Sequence, residues 1–298
     1  MKLTAHNLTA PSKESKEEVR GRWLAGIAIT IIGMLVAVML LFLTFQGLAL
    51  FIDNKVNVID FITGTDWDPG HGHFGALPMI ATSLTITFVA GLISLPLALM
   101  VALAITEILP NGVRKFIQPL IELLVGIPSV IYGFVGLTVI VPFLRSLFGG
   151  TGFGMAAAVI VLFAMIMPTM ISMTIDTLEA VPNTYRMGSA GLGATRWQTI
   201  AKIIIPSAKS GILTAMIFGM TRAFGEALAV QMVIGNTAMM PGNFMQSAAT
   251  LTSVLTTGIG NTIMGTAANN ALWSLALILL IMSLIFNILI HLAQRKGR

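Results

Sequence analysis

Six long runs of apolar residues, at about 23–50, 76–106, 117–144, 153–175, 208–235 and 271–292, alternate with short polar stretches along the chain. Each is nearly free of charge and reaches the ~17–25 residues that carry a helix across ~30 Å of hydrocarbon. The pattern predicts an all-α integral membrane protein with six transmembrane helices. Residues 1–22 are polar, with Lys13, Lys16, Arg20 and Arg22 beside Glu14, Glu17 and Glu18, and read as a tail ahead of a membrane domain over 23–292. The run after this tail is longer than a signal-peptide core and lacks a small-residue cleavage site, so it reads as a retained first span. Residues 293–298 form a short basic tail.

Composition agrees with this reading. Of the 298 residues 56% are hydrophobic and 10% charged, with a mean hydropathy of +0.90, more apolar surface than a soluble domain can hide. Cysteine is absent, which excludes disulfides and thiol metal sites. A pI near 9.8 raises the question of nucleic acid, but the basic residues sit in short loops between spans, where they act as topology signals, and no nucleic-acid partner is expected. On the predicted spans, 14 of the 17 Lys and Arg fall on one side, only Lys55 and Arg145 on the other, and Arg222 within a span. This asymmetry places both termini in the cytoplasm.

The two long stretches on the other side differ in kind. Residues 51–75 carry Asp53, Asp60, Asp66 and Asp68 with His71 and His73, whereas 236–270 are uncharged and rich in Gly, Ser, Thr and Asn. The His-Gly-His spacing matches no structural metal site, so 51–75 is expected to be an exposed polar loop without metal.

The loop between the fourth and fifth runs has more internal design. Val181-Pro182 ends the preceding helix. Asn183 and Thr184 are good N-cap residues, and a short helix is predicted from there to about Leu192. Gly193 breaks it. Thr195 with Gln198 fits a capping box, starting a second short helix expected to end before Pro206. The plain reading is an ordinary interhelical loop; the specific one is an element that docks on another protein.

The residues here resemble the loop signature of ABC-importer permeases, which reads Glu-Ala-Ala, three residues, Gly, nine residues, Ile-x-Leu-Pro. This chain has Met187-Gly188-Ser189, three residues, Gly193, nine residues, then Ile203-Ile204-Ile205-Pro206. Similarity continues through Arg222-Ala223-Phe224-Gly225-Glu226-Ala227-Leu228-Ala229-Val230, Phe74-Gly75-Ala76-Leu77-Pro78 and Gly126-Ile127-Pro128-Ser129-Val130-Ile131-Tyr132-Gly133-Phe134. Together these resemble the C-type permease subunit of phosphate (Pst-type) importers over roughly residues 70–290. The resemblance implies a type I ABC importer fold and a bacterial or archaeal cytoplasmic (inner) membrane. It implies four kinds of partner besides lipid: a homologous A-type permease, cytoplasmic ATPase subunits, an extracytoplasmic phosphate-binding protein, and phosphate itself. It assigns ATPase coupling to the 183–206 loop through Met187, Gly188, Ser189, Gly193, Ile203 and Pro206. Met187 replaces the signature glutamate, which puts one salt bridge in question while docking by shape and apolar contact remains.

Arg222 and Glu226 lie within the fifth run, and on one continuous helix they would share a face. Each costs about 2.5–3.5 kcal/mol at a helix centre, whereas an exposed i,i+4 pair returns only about 0.2–0.5 kcal/mol. Water, another helix or a bound ion must therefore stabilise them. One reading is a structural pair that fixes helix packing or snorkels to the interface; the other is a substrate pathway. The forked guanidinium suits a tetrahedral oxyanion, and a carboxylate beside it makes sense if the anion keeps a proton, as monohydrogen phosphate does and sulfate does not. Glu107 and Glu122 are expected near the headgroups in structural roles. Thr82, Ser83, Thr85 and Thr87 either line a path or join helices, and Pro96, Pro128 and Pro168 are expected to bend spans.

The chain has no Gly-x4-Gly-Lys-Ser/Thr phosphate loop and no catalytic motif. A non-catalytic transport subunit without cofactor is expected, with ATP hydrolysed by another chain. The alternatives are a permease for another oxyanion (sulfate, molybdate) and an ATP-independent secondary transporter or channel; a membrane enzyme ranks last.

Overall fold

Helix dominates residues 13–295, which the computed structural model describes, and six helical stretches are long and apolar enough to cross a membrane: Arg20–Ile52, Leu77–Ile108, Ser129–Phe148, Met155–Glu179, Arg196–Phe224 and Ala267–Leu289. Contacts divide the chain into two units, Met1–Gln46 and Gly47–Arg298. The first contains most of helix α1 (Lys13–Ile52), which is helical well ahead of the apolar run. Its side chains from Trp23 to Phe45 are almost all exposed and apolar, a surface suited to lipid.

In the second unit, α2 (Val58–Thr63) precedes a two-residue hairpin, β1 (Trp67–Asp68) against β2 (His73–Phe74). The long helices α3 (Leu77–Leu103), α7 (Met155–Glu179) and α10 (Ile205–Phe224) pack on one another as the core. Helix α13 (Ala267–Arg295) joins α10 and α3 through Phe286, whose ring lies 5.3 Å from Phe224 and 6.3 Å from Phe88. The remaining helices are short: α4 (Asn111–Val125), α5 (Ser129–Val135), α6 (Val141–Phe148), α8 (Asn183–Gly191), α9 (Arg196–Thr199), α11 (Leu228–Gln231) and α12 (Leu251–Gly258).

Three corrections to the sequence reading follow from Gly and Pro. The third span is not 117–144. Gly126-Ile127-Pro128 separates α4 from α5, because the residue before a proline avoids the helical region and proline cannot extend the ladder. The span starts at Ser129, and Glu122 sits exposed on α4. Pro128 thus divides two helices rather than bending one, whereas Pro96 and Pro168 lie inside α3 and α7.

The second correction concerns Pro206. The second loop helix does not end before it: α9 runs through a π-helical turn, Ile200–Ile204, straight into α10. Two more π turns, Ala104–Ile108 and Gly136–Ile140, stand in the same relation to Pro110 and Pro142. In all three the residue just before the proline donates its N–H five residues back, Leu109 to Ala104, Val141 to Gly136 and Ile205 to Ile200. The wider turn moves carbonyls away from the proline ring, which would clash with the carbonyl four residues earlier.

The third correction is in the fifth span. A continuous helix to 235 is not formed; α10 ends at Phe224, and Gly225–Ala227 is non-helical before α11. The chain from 232 to 250 stays irregular but closes its backbone internally. Gly154 donates to the Val233 carbonyl (3.1 Å), Ala156 to Phe244 (2.9 Å) and Ala248 to Ile234 (3.0 Å). Non-helical backbone at membrane depth is tolerated only where such partners exist.

Gly133 marks where α5 touches α11: a Cβ there would fall 2.8 Å from the Ala229 Cα, a backbone atom that cannot rotate aside. Gly188, on the exposed face of α8, has open space instead. Gly133→Val is therefore expected to destabilise the purified protein by about 1–3 kcal/mol through overpacking. Gly188→Ala is expected to be neutral or slightly stabilising; thermal melting in detergent measures both.

Candidate functional site

Arg222 stands in the last turn of α10 and bridges three helices. Its guanidinium donates to Thr169 Oγ1 on α7 and, at 3.5 Å, to the Val125 carbonyl that ends α4. Tyr132 of α5 donates its hydroxyl to the adjoining Leu124 carbonyl at 3.1 Å. The last carbonyls of a helix have no intrahelical donors and carry partial negative charge, so a guanidinium is favourable there by about 0.3–1 kcal/mol. All the partners of Arg222 are neutral, and among the described residues it forms no ion pair. No carboxylate lies within ion-pair distance of its guanidinium among the described residues.

Glu226 is not on the same helical face, because the helix has already ended. Gly225 is a poor helix former, and the Glu226 carboxylate offers an N–H acceptor outside the ladder. Its Oε1 accepts the Ala229 N–H in the first turn of α11 at 3.1 Å, and its carbonyl accepts the Thr252 hydroxyl at 2.8 Å. The half-buried side chain thus closes the break between α10 and α11, and among the described residues it forms no ion pair with Arg222. Ser83, singled out in the sequence, accepts the Leu251 N–H at 3.0 Å and tethers α12 to α3, whereas neighbouring Thr82 is buried without a hydrogen-bond partner among the described residues.

At the opposite end of α10 lies the two-helix loop. Helix α8 begins at Asn183 with Pro182, not Asn183 or Thr184, at the cap. Gly193 takes φ +78°, the left-handed turn that its lack of a Cβ allows, and reverses the chain. Thr195 accepts the Gln198 N–H at 3.3 Å while the Gln198 side chain accepts the Thr195 N–H at 2.9 Å, the capping box expected from sequence. Met187, Gly188, Gly193 and Pro206 are exposed and Ile203 is half-buried, but Ser189 is buried against the Thr199 hydroxyl at 2.8 Å, so it joins α8 to α9 from inside. The elbow shows an apolar outer surface: Leu192 is 90% exposed, Trp197 70%, Met187 65% and Tyr185 50%.

Sequence reasoning missed the anchor of this loop. Arg186 NH2 donates to Glu107 Oε1 at 2.6 Å and to the Leu178 carbonyl at 3.1 Å, and its NH1 donates to the Val181 carbonyl at 2.8 Å. The pair is mostly buried, at 24% and 12% side-chain exposure. It fixes α8 to the π turn that ends the second span, beside a cavity of about 260 Å³ also lined by Arg196 and Thr199. A second pair, Arg114–Glu179, ties α4 to the end of α7. These partners lie 79 and 65 residues apart, which no local pattern reveals.

In the stretch 51–75, His71 Nδ1 lies 2.6 Å from Asp68 Oδ2, and this hydrogen bond holds the Asp68 carboxyl below the usual carboxylate range. His73 stands 3.9 Å from Asp66. Among the described residues no three His, Asp or Glu side chains gather as metal ligands.

The model of the family described as binding-protein-dependent transport system inner membrane component matches residues 94–298. A Bacillus subtilis (strain 168) protein named probable ABC transporter permease protein YqgH is 44% identical, over 99% of this chain and 97% of that protein. Two proteins named phosphate transport system permease protein PstC are each 31% identical: that of Mesorhizobium japonicum over 75% of this chain and 74% of its own, and that of Haemophilus influenzae over 80% and 83%. Among solved structures, a chain of a bacterial alginate ABC transporter superposes with a TM-score of 0.64 at 16% identity, covering 95% of this chain and 98% of its own. One from the inward-facing MetNI methionine ABC transporter gives 0.58 at 20% identity, over 74% and 94%. At those identities the superpositions establish the fold, a type I ABC importer permease. The chain belongs to the family of binding-protein-dependent transport system inner membrane components.

Proposed function

We propose that this chain is the non-catalytic permease subunit of an ATP-driven importer whose substrate is inorganic phosphate, and that Arg222 lines the anion's path. The observation that carries the reading is the uncompensated guanidinium of Arg222, held by two neutral oxygens where a helix break leaves backbone polar groups gathered at membrane depth. An isolated charge there is costly by about 2.5–3.5 kcal/mol, and a passing oxyanion supplies the missing counter-charge only when transport calls for it. Relatives named for phosphate transport favour phosphate; the relative at 44% identity carries no substrate in its name, which keeps another oxyanion as the second reading.

Glu226 lines the same path next to the break. Its carboxylate accepts one backbone N–H, and the second oxygen is available to accept the O–H of monohydrogen phosphate, which sulfate lacks. The 183–206 loop couples the chain to the ATPase. Exposed Leu192, Trp197 and Met187 supply an apolar docking surface, and Gly188, Ser189, Gly193, Ile203 and Pro206 supply its shape. With Met187 in the signature position, contact there is apolar rather than ionic. The excess of Lys and Arg on this side puts the loop and both termini in the cytoplasm. A homologous A-type permease completes the pore, and an extracytoplasmic phosphate-binding protein delivers the ion from the other side. Transport proceeds by alternating access, driven through the elbow.

ATP-dependent phosphate uptake by the complete complex in proteoliposomes, with sulfate as competitor, tests the pathway. Arg222→Ala is expected to lower uptake about 10–100-fold, the loss of a hydrogen bond to a charged group. Glu226→Gln, which keeps an oxygen for the Ala229 N–H, is expected to lower phosphate uptake about tenfold at normal abundance; unchanged uptake leaves Glu226 as a cap only. Sulfate competing as well as phosphate overturns the phosphate assignment.

Leu192→Asp at the elbow is expected to cut uptake and transport-linked ATP hydrolysis together by at least about tenfold, because an apolar anchor buried at an interface is worth roughly 2 kcal/mol or more. The melting temperature of the isolated chain should not change, since Leu192 touches solvent. Full coupling in this variant removes the elbow from the ATPase interface.

A further inference from the structure

On α7 and α10 every threonine but Thr169 spends its hydroxyl proton on the carbonyl four residues back. On α7, Thr174 donates to Met170 at 2.6 Å and Thr177 to Met173 at 2.8 Å; on α10, Thr214 donates to Ser210 and Thr221 to Ile217, both at 2.9 Å. This back-bond is the ordinary way to satisfy a hydroxyl in an apolar helix.

Thr169 departs from the pattern. It lies on α7 directly after Pro168, whose missing N–H already interrupts the ladder there. Its Oγ1 accepts from the Arg222 guanidinium, and among the described residues its hydroxyl proton has no acceptor. The guanidinium cannot take it, having donors only. The side chain is 7% exposed, so bulk water is not the default partner. A buried hydroxyl with an unspent proton beside an unpaired cation lacks the same thing the cation lacks, an oxygen carrying negative charge.

We infer that Thr169 is a second anion-binding residue: its hydroxyl donates to an oxygen of the oxyanion held at Arg222. This rests on the reading that Arg222 lines the path. Arg222 donates into Thr169 Oγ1, which polarises the O–H and makes it a stronger donor, so the two act as one chain, N–H to O–H to anion. Donors from α10 and α7 then converge on one ligand, and the ligand bridges two core helices through contacts that neither makes alone. The Val125 carbonyl bears on the same arrangement. At 3.5 Å it is a long bond, the member of the Arg222 set that an incoming anion displaces most readily.

Three substitutions in the complete transporter, measured as KM and maximal rate of ATP-dependent phosphate uptake and as the rise in melting temperature produced by phosphate, test this. Thr169→Ser keeps the hydroxyl and is expected within about twofold of the parent in KM. Thr169→Val keeps the shape without the hydroxyl and is expected to raise KM about tenfold, the loss of a hydrogen bond to a charged acceptor, and to shrink the phosphate-induced thermal shift. Thr169→Ala is expected to match Val in both readouts, which covers the case in which Val does not assemble. If Val and Ala retain the parental KM and thermal shift, or if Ser falls with them, Thr169 is a packing contact and the inference is overturned. Arg222→Ala run in parallel separates the two levels. Parental uptake in that variant sinks the pathway itself, whereas impaired Arg222→Ala with parental Thr169→Val sinks only the role of Thr169.

Discussion

A peptide group at membrane depth has no water to turn to, so any helix that breaks there must satisfy its freed backbone groups from within the chain. That constraint governs the segment from Arg222 to Thr252. Once α10 stops at Phe224, the Glu226 carboxylate takes up the Ala229 N–H, Thr252 serves the Glu226 carbonyl, and Ser83 on a distant helix receives the Leu251 N–H. Strand-like bonds between 234 and 248 close the loop that follows. Glu226, Thr252 and Ser83 look out of place in apolar runs, and each serves a backbone group beside the break. The break in turn leaves the end of α10 beside the C-terminal end of α4, whose Val125 carbonyl receives Arg222.

The partners of Arg222 differ in kind from those of the arginines that cross-link helices elsewhere in the chain. Bonds to the Thr169 hydroxyl and the Val125 carbonyl hold the guanidinium in place, but neither carries a formal negative charge. Where a buried Arg has only to cross-link helices, a carboxylate neighbour serves better. The chain uses that solution at Arg186–Glu107 and Arg114–Glu179, near the ends of their spans. The same molecule thus contains ion-paired arginines near span ends and, within its fifth span, Arg222, whose partners among the described residues are all neutral. The contrast is internal to the chain and does not depend on what its relatives transport.

Hydropathy alone located six spans to within a few residues at most ends, because length and apolarity are one-dimensional properties. The elbow was legible for a similar reason: Pro182, Gly193 and the Thr195–Gln198 box act through local backbone chemistry. What failed were the interruptions. Gly225-Glu226-Ala227 lies within an apolar stretch whose average hides three non-helical residues, and the capping that stabilises the break comes from a side chain that looked like half of an ion pair. Pro206 misled in the opposite direction, since a π turn carries the helix past it. A π turn also precedes Pro110 and Pro142, but the helix continues only through Pro142 and ends at Leu109 before Pro110. Thr169 carried no sequence signal at all; only the partner of its hydroxyl oxygen, 53 residues away, sets it apart from the other threonines of α7.

The continuity through Pro206 has a mechanical consequence. The capping box at Thr195 and the guanidinium of Arg222 sit at the two ends of one helix, Arg196–Phe224. At about 1.5 Å per residue this rod is roughly 40 Å long, enough to span the hydrocarbon. Had the loop helix ended before Pro206, motion at the elbow would have dissipated in a flexible joint. With the π turn the helix continues through Pro206, and the Arg186–Glu107 pair fixes the elbow's other arm to the second span. On the proposed function, a displacement imposed at Leu192 and Trp197 therefore arrives at Arg222 as a rigid movement of the same helix. It shifts the guanidinium relative to Thr169 and Val125, which belong to other helices, and so changes the donor geometry offered to the anion without any contact between the two ends.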